Sequence, residues 1–214
     1  KKLRRETVIG IPRVLNMYSY GPFFSAYFQA LGIPSSNIVF SDVTSEAMWR
    51  EGSRRGSIDQ CFPSKVALAH VHQLLTGMRK KPNIIFFPIF TTLLTELENV
   101  LDSCACPTVA GTPQVVKAAF TKEGDSFAQA GARYYDPVLS FAEPELFEHQ
   151  LLAFAGPALD VTESENEHAI RQGYRALDRF RSSLRDQGRA VLEELEREHR
   201  PGIRNFIGHF EHRR

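Results

Sequence analysis

Short apolar runs alternate with helical periodicities along the first half of the chain. Val8-Ile9-Gly10-Ile11 is a β-rich run closed by Pro12, the pattern of a buried first strand. Gly21-Pro22 then suits a helix start, because Pro fits the first turn. Phe23, Phe24, Tyr27, Phe28 and Leu31 share one face of that helix and Gly32 stops it. Asn37-Ile38-Val39-Phe40-Ser41 reads as the second strand. Thr44-Ser45-Glu46 opens a short helix holding Met48 and Trp49 and ending at Gly52. After a polar, basic loop over 53–60, Pro63 begins a helix with Val66, Ala69, Leu74 and Leu75 on its apolar face, ending near Gly77. Asn83-Ile84-Ile85-Phe86-Phe87, bounded by Pro82 and Pro88, is the pattern of a strand covered on both faces. A shorter strand is expected over 107–110, with Gly111-Thr112-Pro113 leading into a helix through Val115, Val116, Ala119 and Phe120.

The second half changes character. Tyr134-Tyr135-Asp136-Pro137 reads as a loop or short strand, and a helix is expected over 143–154. Thr162-Glu163-Ser164-Glu165 has the capping-box pattern and opens a long helical stretch. Ile170, Leu177, Leu184 and Val191 recur every seven residues, with Tyr174 and Leu195 on the adjoining stripe. Run over 163–198, that helix would be about 54 Å long. Arg181 and Gly188 interrupt the stripe, so packing along an α/β domain or as a strut is expected in place of a coiled coil. Pro201-Gly202 ends the helix, and 203–207 reads as a final strand before a charged tail.

The alternation over 7–121 predicts an α/β fold, a Rossmann-like, doubly wound, mainly parallel sheet with a long C-terminal helix. The expected organisation is a Rossmann-like domain over 7–121, a connecting strand and helix over 122–161, the long amphipathic helix over 162–199, and a strand and tail over 200–214 entering a further domain. The chain begins with Lys1 in place of Met, which points to a segment of a longer protein.

Composition narrows the setting. The 214 residues are 43% hydrophobic and 24% charged, enough for one sizeable core. A net charge of +1 gives no electrostatic case for nucleic acid or an anionic membrane. The charge-free run over 14–41 carries Asn16, Gly21-Pro22, Gln29, Gly32 and Pro34, so it does not read as a membrane span. Three cysteines, Cys61, Cys104 and Cys106, exclude a disulfide-stapled scaffold and fit a reducing compartment; the expected location is cytoplasmic.

The chemistry that stands out is sulfur. Pro63 places Cys61 just ahead of a helix, where backbone N–H groups and the helix dipole favour thiolate, and Lys65 adds positive potential one turn in. The competing reading is a small, buried, inert cysteine. Cys104-Ala105-Cys106-Pro107 lies where sheets of this class present ligands, although its spacing is not that of a zinc ribbon. His70 and His72 are two residues apart and point to different helix faces, poor geometry for one metal. No GxGxxG or Walker A pattern is present. Arg13, after the first strand, offers a fork to an anionic group or a pair for a structural carboxylate.

Three ordered motifs carry a resemblance. Ile9-Gly10-Ile11-Pro12-Arg13-Val14-Leu15-Asn16-Met17-Tyr18, Cys61-Phe62-Pro63-Ser64-Lys65-Val66-Ala67-Leu68-Ala69-His70 and Cys106-Pro107-Thr108-Val109-Ala110-Gly111-Thr112-Pro113 closely resemble the large acyl-CoA dehydratase activases. That family is related to the 2-hydroxyglutaryl-CoA dehydratase and benzoyl-CoA reductase systems. The resemblance implies ATPase domains elsewhere in the parent chain, where ATP would act, and a region related to dehydratase subunits that hold [4Fe–4S] clusters. It implies Cys61 and Cys106 as cluster ligands, with Cys104 as an additional cysteine, while Lys65 and Arg13 are the cofactor-binding candidates that the residues themselves offer. The implied partners are the ATPase domains and acyl-CoA dehydratase or reductase subunits, with neither nucleic acid nor membrane. On this reading the chain is an iron–sulfur-associated module helping low-potential electron transfer to CoA-ester dehydration or reduction, inactive as an isolated fragment. The alternative is a non-redox docking or acyl-CoA/nucleotide-binding domain with structural cysteines. The chain departs from relatives at Ile89-Phe90-Thr91-Thr92, where another cysteine can occur, and at Ile207-Gly208-His209-Phe210, where a Gly-Arg-Pro-Tyr-His-like motif is usual.

Overall fold

A computed structural model describes residues 1–52, 61–95, 97 and 103–197. In chain order the elements are α1 (Lys2–Glu6), β1 (Ile9–Ile11), α2 (Met17–Ala30), β2 (Ile38–Phe40), α3 (Glu46–Gly52), α4 (Phe62–Thr76), β3 (Ile84–Phe86), β4 (Ile89–Thr92), α5 (Pro107–Thr121), α6 (Ser126–Gln129), β5 (Arg133–Tyr135), β6 (Val138–Ser140), α7 (Pro144–Leu159) and α8 (Glu163–Arg197). The expected loop over 53–60 and the expected strand over 203–207 lie outside the described residues.

The sheet is parallel with the order β2-β1-β3-β5. β4 and β6 form a second parallel pair, in register Ile89↔Val138 and Phe90↔Leu139. This pair continues β3 and β5 beyond Pro88 and Pro137. The Phe87 N–H donates to the Tyr135 carbonyl and the Ile89 N–H to the Pro137 carbonyl, both at 2.9 Å. Each long strand is therefore bent at a proline, which supplies no N–H to the ladder. Helices α2, α7 and α8 pack on one face while α4 and α5 pack together on the other, so the expected doubly wound α/β class is the one observed.

Aromatic packing fills the α2 side. Phe23 is fully buried and meets Phe24, Phe141, Phe147 and Tyr174 edge-on at 5.1–5.5 Å. Phe86 of β3 takes Phe24, Phe28 and Phe154 at 5.0–5.2 Å. Edge-to-face rings at these separations add about 0.5–1.5 kcal/mol per pair beyond area burial. Gly10 lets the chain before β3 come close, since a Cβ there would stand 2.6 Å from Pro82 Cγ.

Four expectations about elements change. Helix α2 starts at Met17 and not at Gly21-Pro22: the chain turns sharply after Pro12, with Leu15 at φ 52, and the Met17 N–H already donates to the Val14 carbonyl at 3.1 Å. Residues 107–110, expected as a strand, form the first turn of α5. Helix α7 runs on to Leu159, beyond the expected 154. The heptad stripe of α8 is covered over half its length, with Ile170 and Leu177 buried but Leu184 and Val191 more than half exposed.

Helix α8 lies antiparallel on α2. Tyr27 donates to Asn166 Oδ1 at 2.6 Å, and the Phe23 ring lies against Gly173. The capping box forms as expected, with the Thr162 N–H donating to Glu165 Oε2 at 3.1 Å and the Glu165 N–H to Thr162 Oγ1 at 3.4 Å. Arg4, buried, closes the same end of the domain. Its guanidinium forks onto Glu165 at 2.7 and 2.8 Å and donates to the carbonyls of Leu31, Leu159 and Asp160, at the ends of α2 and α7. One cation thus answers two helix C-termini and an acidic residue in the first turn of α8.

Candidate functional site

Every helix that leads from one parallel strand to the next begins at the C-terminal edge of the sheet, because it must run back against the strands. Helices α4 and α5 are two such crossovers, leading into β3 and β5. Cys61 is the N-cap of α4 and Cys106 the N-cap of α5, each followed by Pro in the first turn. The two helices pack side by side. The strand order switches direction between β1 and β3, and this edge is where open α/β sheets leave their crevice.

All three cysteines are exposed, which removes the reading of Cys61 as a buried, inert residue. Cys61 Sγ lies 3.3 Å from Ser64 Oγ. The Ser64 hydroxyl, then the Ser64 N–H, hold the Cys61 thiol below its ordinary range. Burial, and then the Cys106 charge, oppose that shift. Cys106 is lowered by the N–H groups of Val109 and Thr108 in the first turn of α5. N–H groups in the first helical turn contribute to both shifts, but for Cys61 the Ser64 hydroxyl comes first.

Cys104 reaches the same edge by another route. Residues 103–105 pair antiparallel with the end of β4: the Leu93 N–H donates to the Ser103 carbonyl and the Ala105 N–H to the Thr91 carbonyl, both at 2.9 Å, with Cys104 bridged to Thr92. This hairpin delivers Cys104 and then Cys106 to the start of α5. Among the described residues, no group of three or more His, Cys, Asp or Glu side chains is close enough to hold a metal ion.

Arg13 follows β1 on the same edge. Its N–H donates to Ser41 Oγ at 2.7 Å and its guanidinium sits 5.7 Å from the centre of the Phe40 ring. No ion pair joins Arg13 to a carboxylate among the described residues. Lys65 lies in the first turn of α4, half-buried. His70, further along α4, is fully buried. Ser41 Oγ meets its Nδ1 at 2.7 Å and Thr44 Oγ1 meets its Nε2 at 2.9 Å. Burial, and then the nearby Arg13 charge, push its pKa down to about 4. It is a neutral core histidine that pins the ends of β1 and β2 to α4. His72 turns the other way, 3.9 Å from Glu51, as the two-residue spacing requires.

Sequence reading did not single out Ser64 or Ser41. A hydroxyl three residues after a helix-capping cysteine is a usable signal for Ser64. Ser41 gains its role only through contacts distant in sequence.

No helix among the described residues is long and apolar enough to cross a membrane. Comparison with known families matches residues 8–209 to the CoA enzyme activase uncharacterised domain. No curated protein matches the chain. No solved structure matches it either.

Proposed function

We propose, because the chain belongs to the CoA enzyme activase domain family, that its cysteine-bearing sheet edge is a redox module in which Cys61 and Cys106 ligate an iron–sulfur cluster. The observation that carries this is the pairing of two exposed thiols, each at the N-cap of one of two adjacent helices and each lowered toward thiolate by groups of the first turn, the Ser64 hydroxyl foremost for Cys61. Thiolate is the donor that iron–sulfur clusters require, and four are usual. The described residues fit two of them; Cys104 on the hairpin is a third candidate, and the rest of the set would come from outside the described domain. When bound, a [4Fe–4S] cluster supplies one-electron transfer at low potential.

This chain's own residues then have defined tasks. The first turns of α4 and α5 direct N–H groups at the sulfurs and withdraw charge from them, and Ser64 does the same from its hydroxyl. Arg13 and Lys65 place positive charge on the same edge, offsetting an anionic centre. In this reading the module serves electron delivery to CoA-ester dehydration or reduction. Its partners are ATPase domains and acyl-CoA dehydratase or reductase subunits.

Anaerobic reconstitution with iron and sulfide, followed by counting both per chain, tests the assignment. Bound iron that falls in Cys61→Ser and in Cys106→Ser is the expected result. Iron content identical in the parent and both variants would sink it. A docking role is favoured by Phe62, 60% exposed beside Cys61 and 5.3 Å from the Trp49 ring. Exposure of all three cysteines weighs against the structural role that such a reading gives them.

A further inference from the structure

Helix α8 is longer than the surface that covers it. Tyr27 of α2 meets Asn166 and Phe23 meets Gly173, so the antiparallel packing climbs toward the start of α2 at Met17. Leu177, buried, and Phe180, half-buried, are the last residues of α8 packed on the core. Residues 182–197 then run on as helix for about 24 Å. Every residue over 182–191 is exposed. A helical stretch of this length is marginal in water unless an apolar face of it is packed.

Three features of the free half point to what packs there. Leu184, Gly188, Val191 and Leu195 follow one another at steps of four, three and four, which puts them on one stripe. Leu184 is 52% exposed and Val191 54%. Gly188 is the second feature. A glycine inside an exposed helix costs stability against alanine, and a Cβ on Gly188 would meet nothing within 4 Å. At Gly173, in the covered half, the space is used, because the Phe23 ring of α2 fills it. Charge is the third. Residues 182–189 carry Arg185 and Arg189 against Asp186, whereas 190–197 carry Glu193, Glu194 and Glu196 against Arg197.

One surface matches all three, and it is the same stripe reversed. Let two copies of α8 lie antiparallel about a two-fold axis passing between Arg189 and Ala190. Leu184 then faces Leu195 of the other copy, and Gly188 faces Val191, a bulky side chain over a position that lacks one. The basic half of each helix lies on the acidic half of the other, with Arg185 opposite Glu194. The overlap runs from 182 to 197 in both helices, which is the whole free length. A parallel pair would set like charge on like charge and glycine on glycine.

We propose that the free half of α8 is a homodimerisation surface, which pairs antiparallel with the α8 of a second copy of this chain.

Four apolar layers make a small interface, so the dimer is expected to form and dissociate over about 1–500 μM, read by sedimentation velocity of the 214-residue chain. Val191→Glu should weaken association about a hundredfold or more, since the two-fold axis buries the new charge twice. Gly188→Ala should weaken it about tenfold, although alanine is the better helix former. Leu184→Glu should act as Val191→Glu does. Adding Leu195→Lys to the same chain should recover about tenfold, because positions 184 and 195 face each other only in the antiparallel pair. These positions lie outside the core, so the α/β domain keeps its thermal midpoint in every variant at low concentration. A parent chain that stays monomeric across the range would overturn the proposal and leave the stripe to a different protein. So would association that Val191→Glu and Leu184→Glu leave unchanged. Tighter association in Gly188→Ala, or no recovery with Leu195→Lys, overturns the antiparallel register.

Discussion

Acidification should weaken this fold through His70 before any carboxylate takes part. The imidazole is fully buried and both nitrogens are engaged. In the neutral ring one nitrogen accepts and the other donates, and the two hydroxyls can serve either tautomer. A second ring proton would be a buried charge, disfavoured first by burial and then by the nearby Arg13 charge, with Asp42 favouring it. The folded-state pKa is about 4 against 6.5 for an ordinary histidine. Between those values the unfolded chain binds a proton that the native chain does not, so stability falls as pH drops from the upper value toward the lower. From neutral pH, linkage gives a loss of about 1.4 kcal/mol by roughly pH 5.5 and about 2.5 kcal/mol by roughly pH 4.5. Urea unfolding at fixed ionic strength, run on the parent chain and on His70→Gln across that range, measures it. The difference between the two should shrink on acidification by those amounts, because the variant has no such group to titrate. A difference that stays flat from neutral pH to about pH 4.5 would refute the reasoning.

The Arg4–Glu165 pair occupies a lower window: Glu165 is held at about 2 by the Arg4 hydrogen bonds, against 4.5 ordinarily, so its contribution is present above the ordinary value and is lost as pH falls toward the lower one. Arg4→Met leaves the carbonyls of Leu31, Leu159 and Asp160 without their donor and should cost about 3 kcal/mol or more in denaturant unfolding. Glu165→Gln, at a partly exposed site, should cost about 1 kcal/mol or less, and equal costs for the two would contradict the asymmetry. Gly173→Ala would set a Cβ 2.7 Å from the buried Phe23 ring. Overpacking of about 1–3 kcal/mol should outweigh the helix-propensity gain of about 1 kcal/mol, lowering the thermal midpoint; a raised midpoint would show that the ring can yield. Ser64→Ala should move the alkylation profile of Cys61 to higher pH while leaving Cys106 where it is, and a Cys61 profile that does not move would remove Ser64 from the account.

Much of this fold can be read directly from residue order. The first three strands, α4 and the capping box of α8 follow from local patterns, and the cap position of Cys61 follows from Pro63 alone. The errors are local too. Pro107-Thr108-Val109-Ala110 carries residues common in strands, yet Pro107 suits a first helical turn as well as Pro63 does, and packing against α4 decides it. Pro88 and Pro137 read as strand ends, which hid β4 and β6. In the fold the two prolines fall on neighbouring strands at matching levels, so one bend serves both. On α8 the seven-residue spacing of Ile170, Leu177, Leu184 and Val191 runs on past the covered half. A period cannot tell where the partner surface stops, and α2 ends after covering half of it.

The paired bends have a consequence for how the domain opens. At this level the ladder between the two long strands loses the one rung that Pro137 cannot donate, while Phe87 and Ile89 still donate across it. Below it lies a four-stranded parallel core; above it lie β4, β6 and the hairpin with Cys104. The two parts nevertheless share one aromatic core, since Phe90, Leu139 and Phe141 of the upper part pack in the same cluster as Phe23, Phe24 and Phe86. Opening at the sulfur-bearing end is therefore tied to the stability of the domain as a whole.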